Sequence, residues 1–305
     1  MKVIFMGTPD FAAVTLKTLM ERGFDVCAAI TQPDRVNARG NKVIPGPVKT
    51  LAESAGIPVY QPLSLRHGEG EEIFAKYRPD VAVVAAYGKI LPASLLGMPR
   101  LGCVNVHASL LPAYRGASPI QTAIINGETV TGVTIMQLDE GMDTGDVLAS
   151  EKVEIPPEMT AGELFDALAS VGAELLAETL PKLDAGEITP LKQDESKATY
   201  APMISKEAAF IDYNNSAGSI VNLVRGLNPN PTARTEINGS RLKVYKAAPG
   251  GETALPAGEA YEKDGAIAVA CGDGREVLLT EVQGEGGKRM DSAAFLRGHP
   301  IVRKR

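Results

Sequence analysis

Asn105 and His107 stand two residues apart near the end of the run GCVNVHAS (102–109), in a chain with only three histidines. Residues i and i+2 of a strand point to the same face, so an amide donor and an imidazole project together from the strand's end. A neutral donor can steady a developing oxyanion, and an imidazole can carry a proton near physiological pH. That pair suits acyl transfer and requires no nucleophilic Ser or Cys. A second group lies in LDEGMDTGDV (138–147), where Asp139, Glu140, Asp143 and Asp146 crowd around Gly141 and Gly145. Glycine permits close backbone approach, and one of these four carboxylates is expected to orient the imidazole; spacing does not choose among them. The acidic positions do not match a calcium loop of the EF-hand type. Cys27, Cys103 and Cys271 lie far apart with no CxxC or His-rich spacing, so neither a zinc site, a disulfide framework nor any tightly bound metal is expected.

Such groups need a scaffold, and the hydrophobic pattern supplies one. Residues 2–6 (KVIFM) read as a strand, 7–10 as a turn, and 11–21 as a helix. Strands follow at 25–31, 57–60, 81–86 and 102–109, with helices over 48–56 and 69–77 between them. Runs such as Val81–Ala86, apolar at consecutive positions, suit strands covered on both faces. Alternating strands and helices predict an α/β, Rossmann-like, doubly wound and mostly parallel sheet, whose ligands sit at the carboxyl ends of strands. Gly7, Gly88 and His107 all fall at such ends. The first turn, GTPDFA, lacks the GxGxxG of a dinucleotide site and carries Pro9, which disfavours a nicotinamide dehydrogenase.

Strands over 131–138 and 147–155 flank the acidic loop, and Thr160 with Glu163 forms a capping box at the start of a helix to about Leu183. From 184 to 205 the chain turns polar and aperiodic. Beyond it, short β-like pieces (AFIDY, TARTEI, RLKVYKA, AIAVAC, EVLLTEV) with one helix over 216–227 predict a small β barrel. The expected division is therefore a catalytic domain over 1–183, a linker over 184–205 and a C-terminal domain over 206–305.

The 305 residues are 44% hydrophobic and 22% charged, the balance of a globular protein in water. The opening MKVIFMGTPDF lacks a signal peptide's long apolar segment and no later run reaches membrane-spanning length, so a cytoplasmic protein is expected. The formal charge of −6 is uneven: residues 206–305 hold 14 Lys and Arg against 12 Asp and Glu. A polyanionic partner should prefer that part.

NVHASLLPAYRGASPIQTAI followed by LDEGMDTGDVL resembles the signature of the folate-dependent formyltransferases. VIFMGTPDFA, TQPDR with RG following, VVAAYGKILP, YAPMISKE, RGLNP and FLRGH match the same family in order, over nearly the full chain. The resemblance implies that Asn105, His107 and Asp143 are catalytic, and it is the resemblance that singles out Asp143 from its neighbours. It implies transfer of the formyl group of 10-formyltetrahydrofolate, as co-substrate, to the α-amino group of methionine carried on initiator tRNA. Ser109, Leu110, Leu111 and Pro112 match the family's folate-binding segment, with the backbone near Tyr87 and Gly88 and the 138–143 loop, Asp139 included, completing the pocket. Phe11, Arg35, Arg39, Lys42 and Lys206 fall on the substrate side. The 33–46 stretch corresponds to an insertion that reaches the tRNA acceptor end. The C-terminal part, with Arg225, Arg241, Lys243, Lys246, Lys288, Arg289 and the basic tail 303–305, corresponds to an oligonucleotide-fold (OB-like) barrel that holds the tRNA backbone. The chain departs from the family pattern at Val36-Asn37-Ala38, Asn41 and Asn230, positions that bear on tRNA grip rather than formyl chemistry. Two alternatives stay open: a formyltransferase acting on an amino sugar nucleotide, and a nonenzymatic tRNA- or folate-binding protein. A monomer is expected.

Overall fold

A computed structural model of the chain describes residues 1–36, 43–66 and 68–301, with backbone alone at 35 and 36. In chain order the first elements are β1 (Lys2–Gly7), α1 (Asp10–Glu21), β2 (Asp25–Ile30), a short antiparallel pair β3 (Arg35–Val36) and β4 (Val43–Ile44), α2 (Pro47–Ser54) and β5 (Val59–Tyr60). Then come α3 (Glu69–Tyr77), β6 (Val81–Ala85), α4 (Ala93–Leu96), β7 (Cys103–His107), α5 (Pro119–Ile125), β8 (Val130–Gln137), β9 (Val147–Glu154) and α6 (Ala161–Asp184). Local chemistry explains several boundaries. Pro47 opens α2, where its missing N–H costs nothing. Glu69, Glu71 and Glu72 occupy the first turn of α3 and Lys76 its last, matching the helix dipole. The expected capping box is present: Thr160 N donates to Glu163 Oε2 at 2.8 Å, and Glu163 N donates to Thr160 Oγ1 at 3.3 Å.

Seven strands form one sheet in the order β5-β2-β1-β6-β7-β8-β9. Pairing is parallel from β5 through β7, and β8 and β9 then run antiparallel. This is the mostly parallel α/β sheet the pattern predicts. The order reverses between β1 and β6, which opens a crevice at the carboxyl ends of the central strands. Ile4, Met6, Ala28, Ile30, Ala82, Val84 and Cys103 pack with Leu65, Ile73, Phe74, Leu91 and Leu95 in one core. Every residue of β6 is buried, as its unbroken apolar run requires. A Cβ at Gly7 would lie 2.5 Å from Ala12 Cβ and 2.6 Å from Ala85 O. That glycine serves the close packing of β1, β6 and α1.

The later elements are α7 (Ala217–Gly226), β10 (Ala233–Ile237), β11 (Ser240–Glu252), β12 (Ala260–Lys263), β13 (Ala266–Ala270), β14 (Arg275–Gly284), β15 (Met290–Asp291) and α8 (Ser292–Leu296). The strands pair antiparallel in the order β10-β11-β14-β13-β12, with β15 on β14. Ile220 and Val224 of α7 and Phe295 of α8 close a core with Val244, Val269, Val277, Leu279 and Val282. Two pieces differ from expectation. AFIDY makes one isolated bridge, Phe210 to Arg234, because an Asx turn at Asp212 redirects the chain, with Asn214 N donating to Asp212 Oδ1 at 3.0 Å. β11 runs on through Pro249, Gly250 and Gly251, residues that read as breakers, and absorbs them through register shifts against β14.

The chain divides into two compact units. The first is Met1–Gly116, Val130–Glu154 and Phe165–Ala201; the second is Ala117–Thr129, Ile155–Leu164 and Pro202–Arg305. Residues 185–201, polar and aperiodic, thus belong to the first unit. Among the described residues no helix is long and apolar enough to cross a membrane.

Candidate active site

β7 is paired on both edges, to β6 in parallel and to β8 antiparallel, with Asn105 opposite Met136 and His107 opposite Thr134. Val104 and Val106 are buried on one face of the strand, which leaves Cys103, Asn105 and His107 on the other. His107 is 6% exposed. Its Nε2 lies 3.0 Å from Tyr114 O, and because a carbonyl only accepts, Nε2 carries the proton. The opposite ring atom, Nδ1, faces Asp143 Oδ2 at 3.7 Å, an ion-pair spacing rather than a hydrogen bond. Asn105 is half-buried, and its carboxamide bonds to no other group among the described residues. The paired strand fixes its backbone, and no described residue occupies its donors.

Asp143 sits in the 138–146 loop with φ +55°, the left-handed region that Asp tolerates better than most residues. Its Oδ2 accepts from Gly116 N at 2.8 Å, and its carbonyl accepts from Gln193 Nε2 at 2.9 Å. The other loop carboxylates look elsewhere. Asp139 Oδ1 accepts from Gly141 N at 3.0 Å and Thr144 Oγ1 at 2.7 Å, Asp146 faces Lys192 at 3.4 Å, and Glu140 is exposed. At Gly145 a Cβ would stand 1.7 Å from Gln137 O, so only glycine lets the loop return against the end of β8. The structure therefore brings Asn105, His107 and Asp143 to one place.

The segment after His107 is tied down from beneath. Ser109 is buried and donates to Ala113 O at 2.6 Å, while Thr134 Oγ1 donates to Ser109 O at 2.7 Å and accepts from Leu111 N at 3.1 Å. Leu110, Leu111 and Pro112 are half-buried, and the Leu111–Pro112 bond is cis. Tyr87 is 2% exposed, and burial, with the Glu69 charge adding to it, pushes its phenol up to about 12. Its hydroxyl has no partner among the described residues, and its carbonyl accepts from Gln32 Nε2 at 2.9 Å. Gly88 follows at φ +79°. The Phe11 ring lies in the interior, edge-on to Phe165 with centroids 5.5 Å apart. Lys206 is exposed in the second unit. Arg39, Lys42, the Arg35 side chain and residues 303–305 lie outside the described residues.

Three residues that the sequence reading did not single out complete the first unit's polar framework. Arg115 is fully buried, and donates to Gln193 Oε1 from Nε at 3.2 Å and Nη2 at 2.8 Å. It also grips Glu195 twice, at 2.9 and 2.7 Å, which holds that carboxyl below its ordinary range and pushes the guanidinium up. The only trace in the sequence is an arginine set between Tyr114 and Gly116. Gln193 and Glu195 occupy a polar, aperiodic stretch that carries no positional signal. Among the described residues no cluster of His, Cys, Asp and Glu could hold a metal ion.

Residues 1–180 match the formyl transferase family, and residues 203–300 match the formyl transferase C-terminal domain. The chain belongs to the formyl transferase family. This formyl transferase is 48% identical to a methionyl-tRNA formyltransferase of Lachnospira eligens over 308 residues, spanning 99% of the chain and 98% of that protein. A methionyl-tRNA formyltransferase of Geobacter metallireducens is 49% identical over 98% of the chain and 96% of its own length. Among solved structures, an N-formyltransferase from Helicobacter canadensis, in complex with folinic acid and dTDP-3-aminofucose, superposes with a TM-score of 0.68 at 19% identity, covering 92% of the chain and 98% of that chain. HypX from Aquifex aeolicus, in complex with tetrahydrofolic acid, gives 0.63 at 18% identity over 96% of the chain but 46% of that larger protein. At these identities the structural likeness is one of fold.

Proposed function

We propose that this formyl transferase moves the formyl group of 10-formyltetrahydrofolate onto the α-amino group of methionyl initiator tRNA. The observation that carries the reading is 48% identity, over 99% of the chain, to a protein named methionyl-tRNA formyltransferase. The site's donor set supports the chemistry. Attack of the neutral amine on the formyl carbon makes a tetrahedral oxyanion, to which the Asn105 carboxamide donates, with His107 beside it. Collapse breaks the bond from the formyl carbon to the folate nitrogen, and the proton lost by the amine passes by way of His107 to that nitrogen. Asp143 orients the imidazole once Nδ1 takes up the amine's proton, when both ring nitrogens are donors. Segment 109–112 with the Tyr87–Gly88 backbone and Asp139 forms the folate pocket. Phe11, Arg35, Arg39, Lys42 and Lys206 serve the acceptor, and the C-terminal domain grips tRNA, consistent with its basic excess.

The test is transfer of labelled formyl from 10-formyltetrahydrofolate to methionine on initiator tRNA, beside elongator methionyl-tRNA and an amino sugar nucleotide. Product with initiator tRNA alone is expected. Product with the sugar alone would keep the folate chemistry and remove the tRNA acceptor, and no product with any acceptor would leave a binding protein.

A further inference from the structure

We infer that Gln193 is a positioning residue for Asp143, locked end-for-end by the buried Arg115. The inference rests on the proposed role of Asp143. A guanidinium only donates, so the two bonds from Arg115 identify the Gln193 atom they reach as the amide oxygen. The amide nitrogen must then point the other way, and its two hydrogens go to Asp143 O at 2.9 Å and Gly145 O at 2.7 Å. Both acceptor and both donor capacities of the side chain are used. The two carbonyls are Asp143's own and that of Gly145 two residues on, so Gln193 braces the backbone immediately after the left-handed φ of Asp143.

The same framework reaches the carboxylate itself. Arg115 N donates to Thr199 O at 2.8 Å, Ala201 N donates to Arg115 O at 2.7 Å, and the next residue's amide, Gly116 N, holds Asp143 Oδ2. Asp143 is thus fixed at its main chain through Gln193 and at its side chain through Gly116, both anchored on residues 193–201. Burying a guanidinium is costly without full hydrogen bonding, and here its side-chain bonds run to Gln193 and Glu195.

The experiment compares steady-state formyl transfer by the full chain with Q193M, Q193E, D143N and the Q193M/D143N pair. Q193M keeps length without polar atoms and is expected to lower kcat about 10- to 100-fold, the range for a reacting group displaced by about 1 Å, with KM for both substrates within about threefold. Its kcat–pH profile should move in the same direction as that of D143N. The double variant should be no slower than D143N alone. Q193E keeps the Arg115 pairing and removes the two donors, and carries the same expectation should Q193M fail to fold. Unchanged kcat in Q193M and Q193E with D143N impaired would overturn the Gln193 assignment alone, as would multiplicative losses in the double variant. A fully active D143N would overturn the proposed role of Asp143 together with it.

Discussion

Strand β7 and the 138–146 loop bring their groups to the same site by different physics. Asn105 and His107 are placed by the sheet: the strand is paired on both edges, Val104 and Val106 anchor its other face, and the register sets where the side chains emerge. Asp143 has no ladder to hold it. Its position comes from single polar bonds to Gly116 and Gln193, residues 27 and 50 positions away, and from a glycine fitted against Gln137. A strand-borne group should therefore lose its chemistry when its own side chain is changed and little else. A loop-borne group should be lost through changes at residues that never touch a substrate.

Changes on the two sides of that comparison separate it. N105A removes the free donor and should lower kcat about 10²- to 10³-fold, the range for one oxyanion donor, while the denaturation midpoint stays near that of the parent. A large loss of stability instead would mean the amide serves the fold. G145A should lower kcat about 10- to 100-fold without touching any reacting group, because the loop must move from Gln137 and carry Asp143 with it. Far-UV circular dichroism should be unchanged; wild-type kcat would show that Asp143 does not need this loop path. T134V takes a hydroxyl from beneath the 109–111 segment and leaves Ser109 O and Leu111 N without their partner, a cost of about 1–3 kcal/mol in urea unfolding. It should raise KM for the formyl donor more than it lowers kcat. Cys103, the third residue on the inward face of β7, is buried, and desolvation pushes its thiol up to about 12. Iodoacetamide should leave it unmodified in the native protein at pH 8, and rapid alkylation would show that the strand opens.

The same contrast explains what the sequence made legible. The unbroken apolar run Val81–Ala86 reports a strand buried on both faces, and a period of two within Cys103–His107 places Asn105 with His107. The capping box at Thr160 and Glu163 is a local device read within four residues. The choice among four loop carboxylates is not local, since it depends on which one meets Gly116 and Gln193, and it came from family resemblance instead. Residues 184–205 read as a linker because the hydrogen bonds that 191–201 makes to distant segments, from side chains and main chain alike, leave no periodicity. The β-like piece RLKVYKA ends at Ala247, whereas β11 continues through Pro249-Gly250-Gly251, because tertiary pairing with β14 overrides the local preference of those residues for a turn.

The most direct measurement is single-turnover transfer of labelled formyl from 10-formyltetrahydrofolate to methionyl initiator tRNA by the parent chain and by H107A, with the fold of each checked by thermal unfolding. The account predicts transfer by the parent and a loss of about 10²- to 10⁴-fold in a folded H107A. Equal rates from the two proteins would contradict it.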